Sequence, residues 1–279
     1  MKRQEKYETM RKTLCIVLVL ITSFAFASFV FAGINESSER NPINTGVSFN
    51  NPEPDPYNDY VNAKKTAELK AILTAEKEAG AKGIETAYVA CPVRSQITHY
   101  WCGLAAAEQV IRANGNSNNL VATYAYNIAV GDGSTISGTY HQFTINSYLG
   151  GVDSSGADID QVTDAINHFS TGSFNWSNIH VSGTGITCAN NVLPLYRLTI
   201  GNYQKCGVVS VYTDQLSYYN NASYIHYITV NGYGSASGTV AAYFKVVDPH
   251  YNSQYQGEHT VQPSEFGSAV SGILDNVIW

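Results

Sequence analysis

The sequence predicts an α+β fold in which a helical part carrying Cys102 packs on an antiparallel β-sheet carrying His226 and Asp248. Three observations lead there. Cys102 stands where a polar, aromatic turn, Arg94-Ser95-Gln96-Ile97-Thr98-His99-Tyr100-Trp101, gives way to Ala105-Ala106-Ala107-Glu108-Gln109, a run of good helix formers. Residues 225–230 and 240–247 are rich in β-branched and aromatic residues and flank a Gly/Ser-rich stretch, the pattern of an antiparallel hairpin. Helical patterns dominate 102–204 and strand patterns 207–248, so the two kinds of element are segregated rather than alternating.

Residues 1–32 read as a signal peptide. Lys2, Arg3, Lys6, Arg11 and Lys12 form a basic region, and an apolar run from Leu14 to Phe31 ends at Ala32 before Gly33. The run is also about long enough to stay as a membrane anchor, but cleavage near Ala32 and a secreted or cell-surface protein are the expectation. Residues 33–85 read as a linker or propeptide. Asn51-Pro52-Glu53-Pro54-Asp55-Pro56 is typical of a disordered linker. Asp59 to about Lys82 is a charged helix whose apolar stripe, Val61, Leu69, Ile72 and Leu73, is thin. It is either a spacer or a segment that shields the site until removed. Residues 86–279 form the main domain.

Within that domain, Ile84–Val93 is the first strand candidate. The helix begun at Cys102 should end near Asn114-Gly115. Further helices are expected at Leu120–Val130, Tyr140–Tyr148 and Asp158–Phe169, the last with Ile159, Val162, Ile166 and Phe169 near helical spacing. Val192–Gln204 is one more, followed by the strand Gly207–Tyr212.

The chemistry-bearing residues follow from these elements. A thiol in the first helical turn faces unpaired backbone N–H groups and the positive end of the helix dipole, both of which favour a thiolate nucleophile. Gln96, six residues before Cys102, is within reach to donate to an oxyanion forming beside the sulfur. A hairpin turn centred on Ser237 places His226 and Asp248 eleven residues to either side, as cross-strand neighbours. The carboxylate then orients the imidazole that serves the thiol. His250 is a candidate for the rim of the site, whereas His99 has no evident acidic partner. His141, His168, His180 and His259 read as surface or loop residues.

The set Gln96…Trp101-Cys102-Gly103…His226-Tyr227-Ile228-Thr229-Val230-Asn231-Gly232-Tyr233…Asp248-Pro249 resembles the C39-like branch of papain-like cysteine peptidases over about residues 86–279. Leu104 stands where that pattern has proline. The resemblance implies a papain-like fold, with Cys102 as nucleophile, His226 as general base and acid, Asp248 as its orienter and Gln96 as oxyanion donor. It implies hydrolysis of peptide bonds with no cofactor, on a peptide or protein substrate. Members fused to exporters trim double-glycine leader peptides, but no transporter domains occur in this sequence.

Other classes are disfavoured by composition. The first 32 residues hold five of the 16 Lys and Arg and two of the 22 Asp and Glu, which leaves 11 against 20 and a net charge of −9. There is no basic stripe to collect phosphates, so nucleic acid is not an expected partner. No cysteine pair has CxxC spacing and no HExxH occurs, so no metal site is expected. Beyond Cys15, the cysteines are Cys91, Cys102, Cys188 and Cys206. Export permits disulfides, and Cys188–Cys206, which encloses a short helical segment, is the favoured pair, with Cys91 then an unpaired thiol or, bonded to Cys102, a redox lock on the nucleophile. The spacing alone does not choose among the three pairings. Two alternatives stand beside the peptidase: a cell-wall peptide amidase or transpeptidase with the same triad, and a catalytically inactive surface-binding module, which the 20 tyrosines and the 14% charged residues would suit.

Overall fold

Strand β7 (Tyr224–Ser235) is the axis of the molecule, and most of the sheet is assembled on it. The computed structural model describes residues 43–44, 55–79, 84–115, 126–129, 135–138, 141–170, 172–271 and 276–279. The residues expected to form the signal peptide lie outside these. So do residues 33–42, 45–54 and 80–83 of the expected linker or propeptide.

In chain order the elements are β1 (Ile43–Asn44), α1 (Pro56–Ala79), β2 (Glu85–Tyr88), α2 (Cys102–Ala113), β3 (Tyr126–Ala129), β4 (Thr135–Gly138), α3 (His141–Tyr148) and α4 (Ile159–Phe169). There follow β5 (Asn178–His180), α5 (Gly185–Tyr196), β6 (Gly207–Tyr212), β7, β8 (Ala241–Asp248), β9 (Gly257–Val261), α6 (Pro263–Val270) and β10 (Asn276–Ile278). Helix α5 continues as a π-helical stretch, Arg197–Asn202. The main sheet runs β5-β10-β6-β7-β8-β9, with β1 and β2 also paired to β7. Its β6–β7, β7–β8 and β8–β9 pairings are antiparallel.

Successive residues of β6 point to different faces. Val208 and Tyr212 join one buried cluster with α2, α3 and α4, and Val209 and Val211 join another with α5 and α6. The structure is therefore α+β as expected, but with a helical layer on each face of the sheet rather than one. Burying both faces explains why β6 is buried at every position, Ser210 included, and carries valines on both faces instead of alternating with polar residues.

Local chemistry accounts for the elements. Asp158 caps α4 through a reciprocal pair of bonds, Gln161 N–H to its Oδ1 at 2.8 Å and its own N–H to Gln161 Oε1 at 3.0 Å. Helix α2 stops at Asn114, where Gly115 takes φ of 75°. Gly103 follows Cys102 because a Cβ there would sit 2.9 Å from Val162 Cγ2 and 3.1 Å from Tyr227 Cδ2. Its bareness lets α2 lie closely against both α4 and the strand of His226.

Two expectations are corrected. Residues 126–129 form strand β3 paired with β4, not part of a helix over Leu120–Val130. Tyr126 and Ile128 suit a pleated strand, and pairing overrides local helical preference. The remainder of that stretch lies outside the described residues. The last helix of this half begins at Gly185, seven residues before Val192.

Helix α1 docks through its thin apolar stripe, with Val61 buried and Leu69 and Ile72 against the cluster of α5 and α6, and through polar contacts. Asn58 Nδ2 donates to Asn178 O at 3.2 Å, and Asn62 Nδ2 to the same carbonyl at 2.7 Å. The Lys65 ammonium reaches the Trp279 carbonyl oxygen and lies 4.5 Å from the Phe174 ring centroid. Glu76 is bonded at 2.8 Å to Arg197, which also holds Glu85 of β2.

Candidate active site

Three of the four expected site residues converge at one end of the central strands. Cys102 opens α2, where neither a side-chain cap nor an intrahelical acceptor takes up its first N–H groups. His226 lies on β7 and Asp248 is the last residue of β8. All three are fully buried.

The hairpin pairs its strands differently from the expected register. Thr229 is opposite Val247, so continuing that register sets Asp248 opposite Ile228 and diagonal to His226. Diagonal neighbours on one face remain within side-chain reach, and His226 Nε2 lies 3.0 Å from Asp248 Oδ1. Strand β7 runs on through Asn231-Gly232-Tyr233-Gly234, so the connection is shorter than the Gly/Ser stretch suggested. The turn is centred on Gly238 rather than Ser237, which accounts for the offset, and the two register shifts, between Val230 and Gly232 and between Gly234 and Ser235, cancel each other.

Asp248 collects four donors. His226 and the His250 backbone N–H (2.8 Å) share Oδ1, while the Tyr219 and Tyr218 hydroxyls donate to Oδ2 at 2.8 and 3.0 Å. Burial pushes its pKa up, but the His226 charge and these hydrogen bonds outweigh burial and hold it below the ordinary carboxylate value. His226 is the mirror case. Burial pulls its pKa down, and the Asp248 carboxylate, then Cys102, raise it to about 10.

Cys102 acts on the imidazole electrostatically, as the second group that raises its pKa. The imidazole Nδ1 is buried and has no hydrogen-bond partner, and with Nε2 committed to Asp248 this is the nitrogen left for the sulfur.

Gln96 joins the group through the backbone. Its N–H donates to Pro249 O at 2.7 Å, one residue beyond Asp248. Its Nε2 donates to Thr98 O at 2.9 Å, and that carbonyl also accepts from Trp101 N–H at 3.2 Å, one residue before Cys102. The side chain is buried, its Oε1 has no partner, and one N–H remains beyond the Thr98 bond.

Several residues that the sequence did not single out position these groups. Gln109 Oε1, on the helix of Cys102, accepts from Thr229 Oγ1 on the strand of His226 at 2.7 Å. Gln142 holds the segment before the cysteine: its Oε1 accepts from Ile97 N–H at 3.1 Å and its Nε2 donates to Ser95 O at 2.8 Å. Their signal was polar side chains at otherwise apolar positions, which only the fold turns into contacts. Tyr218 and Tyr219, in a 3₁₀ turn before β7, gave no local signal.

The other histidines fall as follows. His250 is buried rather than at a rim, with its ring centroid 5.5 Å from that of His226. Its Nδ1 accepts from Asn252 N–H at 3.0 Å, and burial followed by the His226 charge lowers its pKa to about 4, so it is neutral near pH 7. His259 stacks on Tyr218 at 3.7 Å and so takes part in the aromatic support of Asp248. His99 and His180 are exposed, and His168 stacks on Tyr148.

The four cysteines beyond the N-terminal segment are free thiols. The expected Cys188–Cys206 pair is corrected, because Cys188 lies in the cluster with α5 and α6 and Cys206 in the cluster with α2, across the sheet. Among the described residues no group of His, Cys, Asp and Glu is arranged to hold a metal ion. None of their helices is long and apolar enough to cross a membrane.

No family model matches the chain, and no curated protein matches it. Among solved structures, it is similar to a double glycine motif protease from an AMS/PCAT transporter, crystallised in complex with the leader peptide. The likeness covers 69% of this chain and 91% of that one, at 13% sequence identity and a TM-score of 0.35.

Proposed function

We propose that this protein is an exported cysteine peptidase of the C39-like, papain-like kind, with residues 1–32 as signal peptide, 33–85 as linker or propeptide and 86–279 as the peptidase domain. The observation that carries the reading is the line of three buried side chains, in which Asp248 holds four donors and keeps His226 charged beside Cys102. A carboxylate so fully bonded, and two ionisable groups driven in opposite directions, are what an imidazole poised against a thiol needs.

In this reading the Cys102 thiolate attacks the carbonyl carbon of a peptide bond. The Cys102 backbone N–H and the remaining N–H of Gln96 stabilise the oxyanion. Collapse breaks the C–N bond as His226 gives its proton to the leaving amine. Water, deprotonated by His226, then hydrolyses the thioester and frees the acid product and the thiol. Asp248 stays ionised and positions the ring. The chemistry requires no metal or organic cofactor, and the substrate is a peptide or protein, including peptides of the cell envelope.

The complete burial of Cys102 supports a second reading, an inactive papain-like module that binds rather than cleaves. Alkylation with iodoacetamide, followed by mapping of the Ser95–Arg112 peptide, separates the two, together with cleavage of a peptide library by wild type and Cys102→Ala. A peptidase alkylates at Cys102 faster than free cysteine at pH 6 and loses both alkylation and cleavage in the variant. A Cys102 that reacts more slowly than free cysteine, in a protein that cleaves nothing, establishes the binding module instead.

A further inference from the structure

Two cysteines that the proposed chemistry does not use are brought together by the sheet. Strands β2 and β6 lie end to end along the same side of β7, β8 occupying the other. Tyr88 pairs with Gly232, Val89 N–H donates to Asn231 O at 2.8 Å, and Gly207 pairs with Val230. The end of β2 therefore meets the start of β6 opposite Asn231. Cys91 lies just past the first and Cys206 just before the second. Each thiol lies close enough to Cys102's cluster to pack in it, Cys206 within and Cys91 against it, and Cys91 helps to raise the pKa of Cys206. The Cys206 backbone is fixed by the Trp176 indole, which donates to its carbonyl at 2.9 Å. Cys206 is fully buried and Cys91 half-buried, so one thiol meets solvent and the other does not.

We infer that Cys91 and Cys206 form a disulfide that anchors the segment leading to Cys102 onto the central sheet and leaves Cys102 a free thiol, as it leaves Cys188 across the sheet. Cys91, as thiolate, attacks one sulfur of a small-molecule or protein disulfide and displaces a thiolate. The Cys206 thiolate then attacks Cys91 Sγ, forming the Cys91–Cys206 bond and displacing the second thiolate. Two protons and two electrons leave the pair, and the oxidant disulfide becomes two thiols. With Cys91 engaged in this way, it is not available to lock Cys102. The bond also ties residues 92–101, which include Gln96, to the strand whose Val211 pairs with His226.

The four cysteines fall on four different tryptic peptides: Gly83–Arg94, Ser95–Arg112, Ala113–Arg197 and Cys206–Lys245. The test is to incubate the full chain with oxidised glutathione, block remaining thiols and map the digest without reduction, in wild type and in Cys102→Ala. The expected result in both is one linked pair, Gly83–Arg94 with Cys206–Lys245, and an alkylated Ser95–Arg112 peptide in the wild type. Because linkage is read by mass in a chain lacking the nucleophile, it stands or falls apart from any peptidase activity. A link from Gly83–Arg94 to either of the other two peptides, or four blocked thiols, overturns the inference. As a second measurement, oxidised wild type should melt about 10 °C above Cys91→Ser, since the bond closes a loop of about 115 residues. Equal midpoints overturn it too.

Discussion

Tyr219 donates its phenolic hydrogen to Oδ2 of Asp248 at 2.8 Å while His226 lies 3.0 Å from Oδ1, so one buried carboxylate serves a tyrosine and the imidazole at once. A buried carboxylate that loses a donor is left with uncompensated desolvation, costing roughly 1.5–3 kcal/mol for a bond to a charged group. Tyr219→Phe should therefore unfold at lower denaturant with an unchanged m-value, by about that free energy. Because Tyr219 supports the carboxylate and not the substrate, its loss should lower kcat and leave KM near the wild-type value. A variant with KM raised and kcat intact would place Tyr219 in substrate binding instead.

The opposed shifts of His226 and Asp248 give a pH window. His226 has a folded pKa of about 10, above its model-compound value of 6.5. Its contribution to stability is thus full below pH 6.5 and lost as pH rises through 10. Asp248 is depressed below 3.8, so its contribution is full above that pH and lost as pH falls through the folded value. Urea melts should show stability declining between pH 6.5 and 10, and the decline should disappear in His226→Phe. Cleavage activity should keep an alkaline limb near pH 10 that moves to lower pH in Asp248→Asn, where the carboxylate charge is gone. A limb that does not move would separate it from His226.

The bond between Thr229 and Gln109 joins the strand of His226 to the helix of Cys102. Thr229→Val keeps the shape and removes the hydroxyl, leaving Gln109 Oε1 buried without that donor, at a cost of about 1–3 kcal/mol. A register held partly by this bond predicts that kcat falls while the fold, read by near-UV circular dichroism, persists. Restoring a hydroxyl with Thr229→Ser should recover most of the lost rate. Failure of the serine to rescue would assign the effect to packing of the γ-methyl group.

Much of this was legible because it is local. The alanine run fixes where α2 begins, and with it the place of Cys102; the β-branched run Gly207–Tyr212 gives β6 without error. The His226–Asp248 pairing was legible as a hairpin but not in its register, since glycines usually break strands. Here Gly234 stays in β7 because the Tyr243 ring lies over it, where a Cβ would come within 2.7 Å of Tyr243 Cδ1. The tyrosines on Asp248 and the approach of Cys91 to Cys206 were not legible. Each depends on which strands become neighbours, and β2 and β6 share a side of β7 although more than a hundred residues separate them.

The docking of α1 bears on the propeptide reading. Its hydrogen bonds to other elements run to Asn175, Asn178, Trp279, Tyr203 and Arg197, none of them Cys102, His226, Asp248 or Gln96. Lys65 is buried, and burial lowers its pKa well below the usual lysine value despite Glu68 nearby. Removing the helix would expose the faces of Trp279 and Phe174 that this ammonium covers, and would leave the buried Arg197 guanidinium with Glu85 alone of its two carboxylate partners. Loss of one partner of a buried ion pair costs about 3–5 kcal/mol, less here because Glu76 is partly exposed. Cleavage before Gly83 should therefore lower the thermal midpoint by several degrees and leave the rate of a short peptide substrate unchanged at 25 °C. A truncated chain that turns over faster than the intact one would show that α1 restrains the site, and would make residues 33–85 a shielding propeptide rather than a structural brace.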